Sequence, residues 1–122
     1  MSTTSSIMSI GIGATIGATC RHYIGVLSIQ YLGNSIPYGT LISNIIGSFL
    51  AGILIVLVLE KLYLSESYRL MLLVGLAGSL TTMSALSIES VEMLGAGDYS
   101  QALINILLNL GLSLLAASLG VM

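Results

Sequence analysis

Apolar residues run through this chain in four long blocks separated by short polar joints. The blocks cover residues 7–27, 38–59, 68–94 and 100–122. Each holds about 20 residues or more, enough for an α-helix to cross a hydrocarbon core of roughly 30 Å. The joints at 33–37, 60–67 and 95–98 carry the only proline, Pro37, together with Glu60, Lys61, Glu66 and Asp98. Joints this short make consecutive spans antiparallel. They leave no room for a soluble domain, and no internal repeat stands out. The pattern predicts an all-α membrane protein, a single four-span domain over residues 1–122.

The polar positions inside the blocks follow helical spacing. The third block is the most unusual, because residues 75–89 hold Gly75, Gly78, five hydroxyl side chains and Glu89. A helix that only faces lipid has no use for these groups. A helix broken in mid-membrane does, because the carbonyls it frees can serve as ligands. The break is expected within residues 78–82, leaving two half-helices whose ends point toward the protein centre. Glu89 follows in the second half, either near the far interface with Glu92 or on an ion path.

The other three blocks carry stripes. In the first, Gly13, Gly17, Arg21 and Gly25 recur every four residues, a spacing that lets helices approach closely. Arg21 on that stripe must face protein or water, because a charge at mid-depth costs a few kcal/mol or more unless it is paired. It is read either as marking, with His22, the wet end of this helix, or as part of an anion vestibule or a structural polar network; His22 alone is read as structural. In the second block, Thr40, Asn44, Gly47, Ser48 and Ala51 share one face. Asn44 offers two amide donors to a helix–helix bond or to a small anion that sheds water. In the fourth, Gln101, Asn105, Asn109 and Ser113 recur at steps of four, drifting about 40° per step. Asparagines inside a membrane are costly without partners, so the stripe is read as a hydrated track rather than plain helix glue.

Composition narrows the class. Of 122 residues, 56% are hydrophobic and 7% charged, with mean hydropathy +1.05. A soluble domain of this size cannot hide that much apolar surface. A net charge of −2 excludes a basic nucleic-acid-binding surface. Cys20, the lone cysteine, allows neither an internal disulfide nor a cysteine metal cluster, and it is read as packing filler. No basic segment precedes the first apolar run, so a cleavable signal is not expected. Trp is absent, which leaves Tyr for any interfacial anchoring. No His/Asp/Ser or Cys/His set is present, so an enzyme is not expected.

Taken in order, these pieces resemble the Fluc (CrcB) fluoride channel family over nearly the whole chain. The carrying features are the Gly-rich first helix ending in Arg21, Gly39-Thr40-Leu41 with Asn44, and Gly47-Ser48-Phe49. To these are added Gly75 and Gly78-Ser79-Leu80-Thr81-Thr82, then Ser84, Ser87-Ile88-Glu89 and the fourth-span stripe. The resemblance implies an antiparallel dimer in the cell membrane with pores at its interface, exporting cytoplasmic fluoride passively. It implies a structural Na+ on the dimer axis, held by the backbone carbonyls of Gly78 and Thr81. It implies Asn44 as the pore asparagine, with Thr82, Met83, Ser84, Leu86, Asn105, Asn109 and Ser113 along the pore and Arg21 in the vestibule. The family pattern Thr-Thr-Phe-Ser-x-Phe has two phenylalanines whose electropositive ring edges meet the anion. Here those positions are Met83 and Leu86, and a position that is usually tyrosine is Asn105. The chain therefore looks like a subunit of a two-gene version, in which unlike subunits pair, although a homodimer stays open.

Two other classes compete. Small multidrug transporters are also four-span antiparallel dimers, but they need a carboxylate in the first span, where this chain has Arg21. A non-conducting partner subunit is the third reading. Basic residues set membrane orientation and acidic ones count little. Lys61 and Arg69 flank the second joint, while the opposite side has only Arg21 and His22. That small bias places the second joint and both termini in the cytoplasm.

Overall fold

A computed structural model describes residues 2–58 and 65–122. The end of the second block, and Glu60 and Lys61 in the joint after it, lie outside the described residues. The elements in chain order are α1 (Thr3–Leu32), α2 (Tyr38–Val56), α3 (Glu66–Arg69), a π-helical stretch (Leu70–Ala77), α4 (Gly78–Leu80), α5 (Met83–Gly95) and α6 (Tyr99–Val121). Leu57 and Val58 continue α2 in wider π form. Among the described residues there is no strand.

Helix α1 outruns the apolar block at both ends. The Ser2 hydroxyl accepts from the Ser5 N–H at 3.1 Å and starts the helix in polar sequence. Gly33, at φ 82°, closes it with its N–H on the Ile29 carbonyl. At 30 residues the helix is about 45 Å long. Its hydroxyls, Arg21 and His22 dilute its hydropathy. Among the described residues, three helices are long and apolar enough to cross a membrane: Tyr38–Val56, Glu66–Gly95 and Tyr99–Val121. With α1 they form four long helical segments of a multi-pass membrane protein, the third of them made of joined pieces.

The third segment starts with the Ser65 hydroxyl accepting from the Tyr68 N–H and a bidentate Arg69–Glu66 ion pair. Its break is narrower than residues 78–82. Gly78–Leu80 is still helical, and the extended residues are Thr81 (φ −84°, ψ 155°) and Thr82 (φ −152°, ψ 114°). The Thr82 hydroxyl then accepts from the Ala85 N–H at 3.1 Å and restarts the helix as α5.

Two backbone-to-backbone seams hold the bundle. Helix α1 lies along the π-helical stretch, and α2 lies along α6. In the first seam, a Cβ on Gly75 would stand 2.5 Å from the Ile10 carbonyl oxygen and 3.0 Å from the Gly13 Cα. In the second, a Cβ on Gly52 would run into the Ala117 carbonyl, and one on Gly120 into that of Phe49. Without a side chain at these points the axes close up, and small-residue packing replaces a hydrophobic driving force. Most large apolar side chains point outward, Ile12, Ile16, Leu107 and Leu114 among them. The buried residues include Ser43, Asn44, Ser90, Asn105 and Asn109. The chain is thus apolar outside and partly polar within, as a protein solvated by lipid can be. Cys20 is exposed on the outward side of α1 rather than packed.

Candidate functional site

The break organises the site. In an unbroken helix the Thr82 N–H would bond to the Gly78 carbonyl, four residues back. Instead it donates to Asn44 Oδ1 on α2 at 2.7 Å. The Asn44 amide nitrogen donates to the Thr82 carbonyl at 3.3 Å and to Asn109 Oδ1 at 2.9 Å. Asn44 therefore grips Thr82 from both sides, and both of its donors are engaged inside the protein.

The carbonyls freed by the break meet different fates. That of Ser79 accepts from the Arg21 Nε at 3.1 Å. That of Gly78 meets only the Thr81 hydroxyl at 3.4 Å, and no backbone N–H bonds to Gly78 or Thr81 among the described residues. Gly78 is exposed on the surface of the single chain. Arg21 is half-buried beside His22, Thr40 and Thr82, lining a cavity of about 320 Å³. Its guanidinium lies at the C-terminal end of α4, where a positive charge is favoured.

A cavity of about 220 Å³ lies where α2, the break and α6 converge. Six of the residues expected along a pore line it: Asn44, Thr82, Met83, Leu86, Asn109 and Ser113. Ser48, Thr81 and Leu110 complete the wall. Ser48 lies on the predicted α2 face, one turn beyond Asn44. The Ser113 hydroxyl is buried without a partner. Met83 is 64% exposed and Leu86 5%, so of these two Met83 alone reaches out from the wall. Two expected residues stand apart from the cavity. Ser84 is exposed, its hydroxyl 3.2 Å from that of Thr82. Asn105 lies one turn along α6, buried in a ladder.

That ladder was not visible in the spacing. Asn109 donates to the Asn105 carbonyl at 2.9 Å and to Asn105 Oδ1 at 3.2 Å. Asn105 donates to the Ser90 hydroxyl at 3.2 Å. A buried hydrogen-bonded chain thus runs Thr82–Asn44–Asn109–Asn105–Ser90. It joins α2, α5 and α6 and satisfies the asparagines whose burial would otherwise be costly. The steps of four reported one helix face but not how far each amide is engaged. Gln101, at the head of the stripe, reaches the Ser35 carbonyl at 3.3 Å. Glu89 accepts a hydrogen bond from the Thr40 hydroxyl, linking α5 to α2. That bond places Glu89 inside the bundle, while Glu92 is exposed.

The arrangement can take up a small desolvated ion among amide and hydroxyl groups. It has a broken helix, a cavity whose largely apolar wall carries amide and hydroxyl groups, an unpartnered hydroxyl and free carbonyls, and among the described residues no cluster of His, Cys, Asp and Glu that could hold a metal. Relatives point the same way. The chain is 46% identical over 112 residues to a protein named fluoride-specific ion channel FluC from Sulfurihydrogenibium sp. (strain YO3AOP1), covering 92% of this chain and 90% of that one. A protein of the same name from Roseiflexus sp. (strain RS-1) is 40% identical over 115 residues, 94% of this chain and 93% of its own length. Another, from Clostridium perfringens, is 38% identical over 111 residues, with 91% and 87% covered. The family described as CrcB-like protein, Camphor Resistance (CrcB), matches residues 8–121, and with the broken third segment and the site around it this chain belongs to that family.

Proposed function

We propose that this chain is a subunit of a fluoride channel that lowers cytoplasmic fluoride by passive export across the cell membrane. The observation that carries the reading is the cavity at the break, which gathers Asn44, Thr82, Asn109 and Ser113 in a chain 46% identical to a protein named for that activity. A small anion entering a membrane must exchange water for other donors. The unpartnered Ser113 hydroxyl and the Ser48 hydroxyl are suited to that exchange, because the asparagine donors are engaged elsewhere.

The subunit works as an antiparallel dimer. Gly78 and Thr81, with carbonyls not bonded to backbone N–H groups and Gly78 exposed, fit a backbone-liganded Na+ shared between two subunits. When bound, the ion would tie the two breaks together electrostatically. With Met83 and Leu86 where the family pattern has phenylalanines, the preferred mate is a family member that supplies the aromatic rings.

Liposomes carrying the purified chain, alone or co-reconstituted with a phenylalanine-bearing relative, test the reading with a fluoride electrode. Efflux should appear in the mixed vesicles and exceed that of the chain alone. Folded protein that passes no fluoride in either preparation would sink the channel reading. Orientation is tested separately. With Lys61 and Arg69 on one side, C-terminal reporters active only in the cytoplasm or only outside it should give a cytoplasmic signal. Equal signals from both would favour a dual-topology homodimer.

A further inference from the structure

We infer that Asn44 is a positioning residue that keeps the third segment broken and so prepares the Gly78 carbonyl for a cation. The inference rests on the proposed Na+ site and deepens it. The geometry begins at the first residue of the break. The Thr81 N–H still reaches the Ala77 carbonyl at 3.3 Å, so the helix is intact to that point. The next N–H, that of Thr82, is the first to leave the ladder, and it leaves for Asn44 Oδ1 at 2.7 Å. Its ordinary acceptor, the Gly78 carbonyl, thereby loses its partner.

Asn44 suits this task because its burial and bonding fix its side chain. It is 9% exposed, and its nitrogen is held by the Thr82 carbonyl and by Asn109. The oxygen that faces Thr82 is therefore set by the bonds on the opposite side of the amide. Arg21, on Ser79, and the Thr82 hydroxyl, on Ala85, stabilise the two helix ends, but neither competes for the Thr82 N–H. Without an acceptor at position 44, that N–H would be left unpaired or would return to Gly78, and the carbonyl would be withdrawn.

Two variants separate the acceptor from the rest of the side chain. Asn44→Ala removes it; Asn44→Asp keeps an oxygen for the Thr82 N–H. Two measurements on the full-length protein in detergent are read together: the concentration of NaCl, at constant ionic strength, that stabilises the protein against heat, and amide exchange at Thr82. Asn44→Ala should raise the required Na+ by about tenfold or more and speed Thr82 exchange by a similar factor, while Asn44→Asp, which keeps the acceptor but loses the donor bonds that aim it, should fall between Asn44→Ala and the native chain in both. Equal Na+ dependence in Asn44→Ala and the native chain would overturn the inference. If the native chain shows no Na+ dependence, the cation reading fails by itself. Amide exchange then decides whether Asn44 holds the break: faster Thr82 exchange in Asn44→Ala alone supports that role, and unchanged exchange overturns it. Where Asn44→Ala does not fold, Thr82 exchange in folded Asn44→Asp decides: a rise of less than about tenfold over the native chain upholds the acceptor role, and a larger one overturns it.

Discussion

Gly13→Leu and Gly75→Leu chains are expected to lose the folded state. A Cβ on Gly13 would overlap the Met71 carbonyl oxygen, and it would lie 2.8 Å from the carbon behind that oxygen and 2.9 Å from the Leu76 nitrogen. From the facing side, a Cβ on Gly75 would press on the Ile10 carbonyl at 2.5 Å. Backbone atoms cannot rotate aside as the end of a side chain can. Relief would require α1 to retreat from the π-helical stretch along the whole seam. A loss of about 3 kcal/mol or more is expected for each, a large share of the stability of a small protein. Gly11→Leu is the control, since a Cβ there meets nothing within 4 Å. Thermal unfolding and the monodisperse fraction after extraction measure the effect. Equal behaviour of Gly13→Leu and Gly11→Leu would show that the seam is looser than described.

Asn109→Leu should be nearly as damaging for a different reason. The residue is 2% exposed, and leucine would fill similar space. The damage lies in what it leaves behind: the Asn44 nitrogen loses an acceptor at 2.9 Å and Asn105 Oδ1 loses a donor at 3.2 Å. Each buried group left unpaired costs about 1–3 kcal/mol, so a total loss of about 3 kcal/mol is expected. Fluoride throughput should fall by about tenfold or more, because Asn44 loses one of the bonds that set its angle. Ser113→Ala should separate stability from conduction. Its hydroxyl has no partner to abandon, so unfolding should move by less than about 0.5 kcal/mol while throughput drops. A Ser113→Ala chain that conducts fully would remove that hydroxyl from the ion's path.

The four spans and the broken third segment were legible because each reflects a local conflict with lipid. Glycines and hydroxyls at 75–89 are too polar for a plain span, and the structure breaks at Thr81–Thr82, inside the expected interval. The same logic misjudged the ends of α1. Hydropathy reports transfer into lipid, whereas Ser2 starts a helix in polar sequence by capping it. The position of the break depends on which N–H finds an outside acceptor, and that is decided by Asn44, 38 residues earlier. The amide ladder had the same obstacle. Periodicity placed Asn105 and Asn109 on one face of α6, but Ser90 and Asn44 complete their bonds from other helices. Nor did apolar residues 70–77 announce a π-helix, because a wide turn depends on what packs against it.

That wide stretch sets the rotational phase of everything after it. A π turn takes in about one residue more than an α turn, so each withholds about 100° of rotation from the helix that follows. Leu70–Ala77 lies between the capped start at Ser65 and the break at Thr81. It therefore acts as an angular spacer. Gly75 faces α1, whereas Gly78, three residues later, lies on the open surface. In this chain the compass bearing of the freed carbonyls is fixed by how the turns before them are wound, and not only by the residues at the break.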